Sequence, residues 1–134
     1  MRTQLDTHEE LYLEKLCEDD HLVCWVRPMI ASTSNTKVPS VGGLRYRIEF
    51  KHTGDYLVLQ EITNSVLGLR FLDDGHLSEV DSGQLLDIFK QREIFPTEDI
   101  RNFALRTAHC VIHIFSSQPP EIFLEGEGQT LNVT

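Results

Sequence analysis

The residues best suited to chemistry are His109, Cys110 and His113. On a helix His109 and His113 would share a face at i and i+4, the spacing of a zinc-binding HExxH segment whose glutamate acts as base. Cys110 occupies the place of that glutamate, so the motif is broken. A third ligand would have to come from Cys17, His21 and Cys24, a cluster that straddles an expected helix end and an expected strand. A cysteine nucleophile fares no better. Neighbouring helical residues point about 100° apart, so His109 cannot activate Cys110; His113 at i+3 can approach it, but no third group orients the pair. Asp19, Asp20 and His21, like Asp73, Asp74 and His76, combine carboxylates with an imidazole as metal sites do, yet both sets fall where turn residues are expected. Gly126 and Gly128 are flanked by glutamates and followed by no lysine, which excludes a phosphate loop. Trp25 reads as a core or sheet aromatic. The sequence therefore assigns no catalytic residue, no metal ligand and no cofactor. A metal-dependent or Cys/His enzyme built on His109, Cys110 and His113 stands as an alternative function.

Composition places the chain among ordinary soluble domains. Hydrophobic residues make up 40% and charged residues 25%, which fits neither disorder nor a coiled coil. A chain of 134 residues is expected to form a single domain, 1–134, burying roughly two thirds of its unfolded surface, with a mobile loop at 31–43 and a flexible tail from about 126 to 134. No apolar run approaches the roughly 20 residues needed to cross a bilayer, and the acidic N-terminus lacks the apolar stretch of a signal peptide. Three cysteines, an odd number, define no disulfide framework. The expectation is a cytoplasmic protein without a membrane partner.

The net charge of −9 is unevenly spread. Residues 1–20 hold seven acids and two bases, residues 21–72 three and six, and residues 73–134 eleven and four. Overall acidity disfavours nucleic acid, whose binding depends on neutralising phosphates. Only the middle third is basic.

The periodicity predicts an α+β fold. Thr7 and Glu10 have capping-box spacing for a helix over 7–17, with Leu13, Leu16 and Cys17 as its buried stripe. A strand follows at 21–29, where Pro28 marks an end or an edge. The central feature is a three-strand antiparallel meander over 44–72. Leu44, Tyr46, Ile48 and Phe50 alternate with Arg45, Arg47, Glu49 and Lys51. A turn at Thr53 and Gly54 would oppose Phe50 to Leu57, and a loop at Thr63–Ser65 would oppose Leu59 to Leu69. The segment after Leu72 reads as a turn leading to a second helix capped by Asp81, with Leu85, Leu86, Ile88 and Phe89 buried. A third helix is expected from Thr97 to Phe115, although CVIHIF alternates as a strand would. EIFLE at 121–125 is the last strand. The sum is an antiparallel sheet of four to five strands with helices packed on one face.

The other face of the meander is the expected binding surface. It would carry Arg45, Arg47, Lys51, Tyr56, Val58, Gln60, Ile62 and Arg70, a basic rim around apolar residues. The leading expectation is a small acidic cytosolic interaction domain of the adaptor, chaperone or inhibitor type, binding a protein with an acidic surface. A homodimer is compatible with this reading. A further alternative is single-stranded RNA stacked on Tyr56 with arginines on its phosphates.

Overall fold

The alternation is sharpest between Tyr46 and Phe50, and this segment is a strand: Tyr46, Ile48 and Phe50 are buried, and Arg47 and Glu49 face outward. The computed structural model describes residues 3–18, 20–31, 37–39, 44–51, 53–60, 69–81, 85, 87, 91 and 100–125. Among them a 3-10 turn at Gln4–Thr7 precedes ten strands: β1 (Glu10–Glu18), β2 (Leu22–Ala31), β3 (Lys37–Pro39), β4 (Tyr46–Phe50), β5 (Thr53–Leu59), β6 (Arg70–Phe71), β7 (Leu77–Asp81), β8 (Arg101–Arg106), β9 (Val111–Ser116) and β10 (Glu121–Leu124). They form two antiparallel five-stranded sheets. The first runs β1-β2-β4-β10, with β3 also on β2, and the second runs β5-β9-β8-β7-β6.

One core lies between the sheets. The first sheet contributes Leu11, Leu22, Cys24, Val26, Tyr46, Ile48 and Phe50, and the second contributes Leu77, Phe103, Leu105, Ile112 and Ile114. Phe50 and Phe103 meet across the gap with ring centroids 6.2 Å apart. Each fully buried side chain of this size contributes about 1.5–3 kcal/mol. The 3-10 turn adds Leu5 to the same core and is fixed by a capping box in which Thr3 Oγ1 accepts from Leu5 N and Thr3 N donates to Asp6 Oδ2.

The α+β expectation is overturned: the chain is mainly β, and its described strands form two antiparallel sheets rather than one sheet with helices packed on a face. The helix expected over 7–17 is the strand β1. Its register against β2 shifts between Leu13 and Lys15, so Leu13 opposes Val26 and Leu16 opposes Cys24. The extra residue at this bulge sets two core-facing leucines three apart and imitates helical spacing. The helix expected up to Phe115 is the hairpin of β8 and β9, in which Ala104 opposes His113 and Phe103 opposes Ile114. Thr107 Oγ1 donates to the Cys110 carbonyl at 2.9 Å and closes its turn. The segment expected as a turn after Leu72 contains β7, and of the second helix only Leu85, Asp87 and Gln91 fall among the described residues.

The meander is also corrected. β4 has β2 on one side and β10 on the other, with Ile48 opposite Cys24 and opposite Ile122, so no edge is left for β5. β5 instead pairs with β9, setting Leu57 opposite His113, and β6 pairs with β7, setting Phe71 opposite Val80. The loop expected at Thr63–Ser65 lies outside the described residues. Within the stretch expected as a loop, Lys37–Pro39 pair with the end of β2, and residues 32–36 and 40–43 lie outside the described residues, as does the tail from 126. Pro28 falls between the last β2 position paired with β4, Val26, and the first paired with β3, Met29. A missing N–H is tolerated there because, among the described residues, β2 has no second neighbour at that point.

Candidate functional site

The outward face of the first sheet gathers the aromatic and charged side chains of four segments. Residues that oppose one another across an antiparallel ladder share a face, and the registers set Tyr12 opposite Arg27, Lys15 opposite Trp25, Trp25 opposite Arg47, and Arg47 opposite Phe123. Trp25 stands at the centre. Lys15 Nζ lies 5.3 Å from its ring centroid and Arg45 Cζ 5.4 Å, while its Nε1–H donates to Glu125 Oε2 at 3.2 Å. Arg47 Cζ lies 4.6 Å from the Phe123 centroid.

The charges alternate in one continuous chain. Arg27 is joined to Glu14, Glu14 to Arg45 at 3.3 Å, Arg45 to Glu125 at 3.6 Å, Glu125 to Arg47 at 2.9 Å, and Arg47 to Glu49 at 3.7 Å. Glu14 reaches two arginines because it is the extra residue of the β1 bulge. At one end Lys51 bonds Glu121 at 2.9 Å; this hydrogen bond, then the charge of Glu121, raises the pKa of the Lys51 amine. Lys15, Arg27, Arg45, Arg47 and Lys51 thus face Glu14, Glu49, Glu121 and Glu125, so the face is nearly neutral on a chain of net charge −9. Partly exposed pairs of this kind contribute only about 0–1 kcal/mol each.

Of the residues expected to bind a partner, the structure brings Arg45, Arg47 and Lys51 together and separates them from Tyr56, Val58, Gln60 and Arg70. Tyr56 lies on β5 in the second sheet and packs against the shared core. Val58 is on the same strand, Gln60 follows it, Arg70 lies on β6, and Ile62 falls outside the described residues. Trp25, expected as a core or sheet aromatic, is a sheet aromatic on the outward face; residue order left the choice open because β2 is apolar on both faces through Val23, Cys24, Trp25 and Val26. One signal was present: Arg27, two residues on, must share the face of Trp25.

The His109, Cys110 and His113 cluster is dispersed. His109 is exposed in the β8–β9 turn, its ring edge-on to Tyr12 at 6.2 Å. Cys110 Sγ lies 3.3 Å from Thr107 Oγ1, and His113 is wholly buried within β9. The helical face that would have united the two imidazoles does not exist. Asn102 Nδ2 donates to His113 Nδ1 at 3.3 Å, and burial pushes the His113 pKa down to about 4, so the ring is neutral. Cys17 opposes Val23 and Leu16 opposes Cys24, which puts Cys17 and Cys24 on opposite faces. Among the described residues no group of three or more His, Cys, Asp or Glu side chains could hold a metal ion.

Away from that face, a cleft of about 540 Å³ is lined by Asp6, Glu9, Asp73, Asp74, Gly75 and His76. Its groups serve the fold. Asp6 Oδ1 accepts from His76 N and Asp73 Oδ1 from Gly75 N, both at 2.8 Å, and His76 Nε2 donates to the His8 carbonyl at 2.6 Å. Burial raises the Asp6 pKa, but the two backbone donors, from Thr3 and His76, outweigh it and leave the carboxyl below its ordinary value. His8 Nε2 meets the Tyr46 hydroxyl at 2.8 Å, and burial followed by the charge of His76 lowers the His8 pKa.

Comparison with known proteins gives no relative: no family model, no curated protein sequence and no solved structure matches this chain. Among the described residues no helix is long and apolar enough to cross a membrane.

Proposed function

We propose that this chain is a protein-interaction domain of the adaptor, chaperone or inhibitor type, acting in the cytoplasm and binding through the outward face of its first sheet. The observation that carries the reading is Trp25, set in the middle of that face between Lys15 and Arg45 and bonded to Glu125. Tryptophan and arginine are the residues most enriched among binding hot spots, and a ring ringed by polar groups matches the arrangement of an apolar anchor inside a wet rim. The partner is an acidic protein surface. Its carboxylates would replace Glu125 on Arg45 and Arg47 at little cost, because partly exposed ion pairs are weak. Free Cys17, Cys24 and Cys110 agree with a reducing compartment.

Single-stranded RNA would meet Trp25 and Phe123 as stacking surfaces, but four interleaved glutamates oppose its phosphates. The test uses Trp25→Ala and Arg45→Glu/Arg47→Glu beside Asp81→Lys as a surface control. A photo-crosslinker at Lys15 should trap a specific protein in cells expressing the wild-type face and lose it in both face variants, with unchanged circular dichroism. Retention of the crosslink in both variants, or its replacement by RNA, overturns the proposal.

A further inference from the structure

One carboxylate on the outward face of the first sheet is held unlike the others. Glu125 divides its two oxygens among three donors: Oε1 accepts from Arg47 Nη1 at 2.9 Å, while Oε2 accepts from Trp25 Nε1 at 3.2 Å and lies 3.6 Å from Arg45 Nη1. Trp25 and Arg47 oppose each other on β2 and β4, and Arg45 immediately precedes β4. The donors therefore stand on the two inner strands of the sheet, and Glu125 reaches them from just past the end of β10. Its main chain is tied there by Glu125 N, which donates to the Arg45 carbonyl at 2.7 Å. The neighbouring glutamates sit differently. Glu14 is set into the β1 bulge against Arg27, which is only 8% exposed, and Glu49 approaches Arg47 no closer than 3.7 Å. Nor does Glu125 exhaust the donors. Arg45 Nε and Arg47 Nε are buried and lack a hydrogen-bond partner among the described residues. An arginine fork can take both oxygens of a carboxylate, and an unmet buried N–H favours an acceptor that supplies the missing bond.

Resting on the reading of this face as a protein-binding surface, we infer that Trp25, Arg45 and Arg47 form a receptor for a single glutamate side chain of the partner, and that Glu125 is its internal competitor. The group already seated there identifies the ligand class. It is a planar carboxylate on a side chain of glutamate length, met by two guanidinium groups and an indole N–H that can only donate. A basic group finds no acceptor among these donors. Phosphate is disfavoured too, because Glu14 stays 3.3 Å from Arg45 and Glu49 3.7 Å from Arg47, and these carboxylates repel a doubly charged group more than a singly charged one. While Glu125 is seated the partner's glutamate must expel it. When Glu125 swings out, the indole edge and both guanidinium groups open together. The competitor is weak by construction, since its pairs are partly exposed, so it lowers the affinity of the site without closing it.

Trp25 is the one tryptophan of the chain, so its fluorescence reports on the occupancy of the site. The probe is a short poly-L-glutamate, titrated into the wild type, Glu125→Gln and Asp81→Asn. Glutamine keeps the size of the side chain without its charge, and Asp81→Asn makes the same change in net charge on β7, away from this face. Glu125→Gln should bind the probe about tenfold or more tightly than the wild type, with unchanged circular dichroism, and Asp81→Asn should stay within about twofold of the wild type. Adding Arg45→Gln and Arg47→Gln to Glu125→Gln should abolish the gain. Glu125→Ala, titrated in the same way, decides the matter if Glu125→Gln does not fold. No gain on removing the Glu125 charge, an equal gain in Asp81→Asn, or an equal gain for oligouridylate each overturns the inference. The crosslink from Lys15 separates this failure from that of the wider reading. A wild-type face that still traps a protein, with no gain in Glu125→Gln, overturns the competitor alone; a wild-type face that traps none overturns the reading on which it rests.

Discussion

The two sheets share a core but differ on their outward faces. On the first sheet that face holds Trp25, Phe123 and an alternating line of arginines and glutamates. On the second it is covered: Val80, Ala104 and Val111 pack with Leu69 and Phe71, and Ile100 and Phe115 pack with Leu85, Leu59 and Leu69. All six residues of β9 are buried as a result. A sheet buried on both sides serves stability, whereas one that keeps polar and aromatic groups on one side can meet a partner. The wet face is held together by weak exchangeable pairs, and the dry one by packing that cannot be exchanged without loss.

Substitutions should divide along this line. The largest effect belongs to the shared core. Phe103→Ala removes a fully buried ring packed on Phe50 and should cost about 3–5 kcal/mol in chemical denaturation. A loss below about 1 kcal/mol would mean that the two sheets do not depend on each other through this contact.

Next comes His113, the buried imidazole of the dry sheet. Its folded pKa of about 4 lies below the unfolded value of 6.5, so between these values the unfolded chain binds the extra proton. Stability is full above about pH 6.5 and falls as pH drops towards 4, by about 3 kcal/mol in total. His113→Gln has no such proton to take up. Its denaturation free energy, compared with that of the wild type at a series of pH values, should fall less steeply across this window, and parallel curves would show that His113 is not the buried base.

The smallest effect belongs to the wet face. Arg47→Gln removes its pairs with Glu125 and Glu49 and its contact with Phe123, all on a side chain 35% exposed. Denaturation should register about 1 kcal/mol or less. A cost comparable to that of Phe103→Ala would make the network structural and end the contrast between the faces.

Much of the strand content was legible from residue order. β2, β4 and β10 stand where β-branched and aromatic runs and alternation placed them, because a strand with one wet face writes its period into the sequence, whereas β5 begins at Thr53, where a turn with Gly54 was expected. Arg45, Arg47 and Lys51 were correctly grouped for the same reason. β8 and β9 were not legible. With both faces buried, RNFALR and VIHIFS lose the contrast between wet and dry positions, and their apolar residues fit a helix equally well. β1 misled differently, since its bulge turned a two-residue step into a three-residue one.

Residue order thus determined that β2, β4 and β10 are extended, which faces of β4 are wet and dry, and how the charge is distributed. Tertiary structure alone decided which strands pair. β4 and β5 are neighbours in sequence, yet Ile48 lies between Cys24 and Ile122 while Leu57 lies beside His113 in the other sheet. Local periodicity records which side of a strand is dry, but a ladder partner is chosen by the burial that the whole chain achieves. For that reason Trp25 reached the centre of a polar face by pairings that span the chain from Lys15 to Glu125.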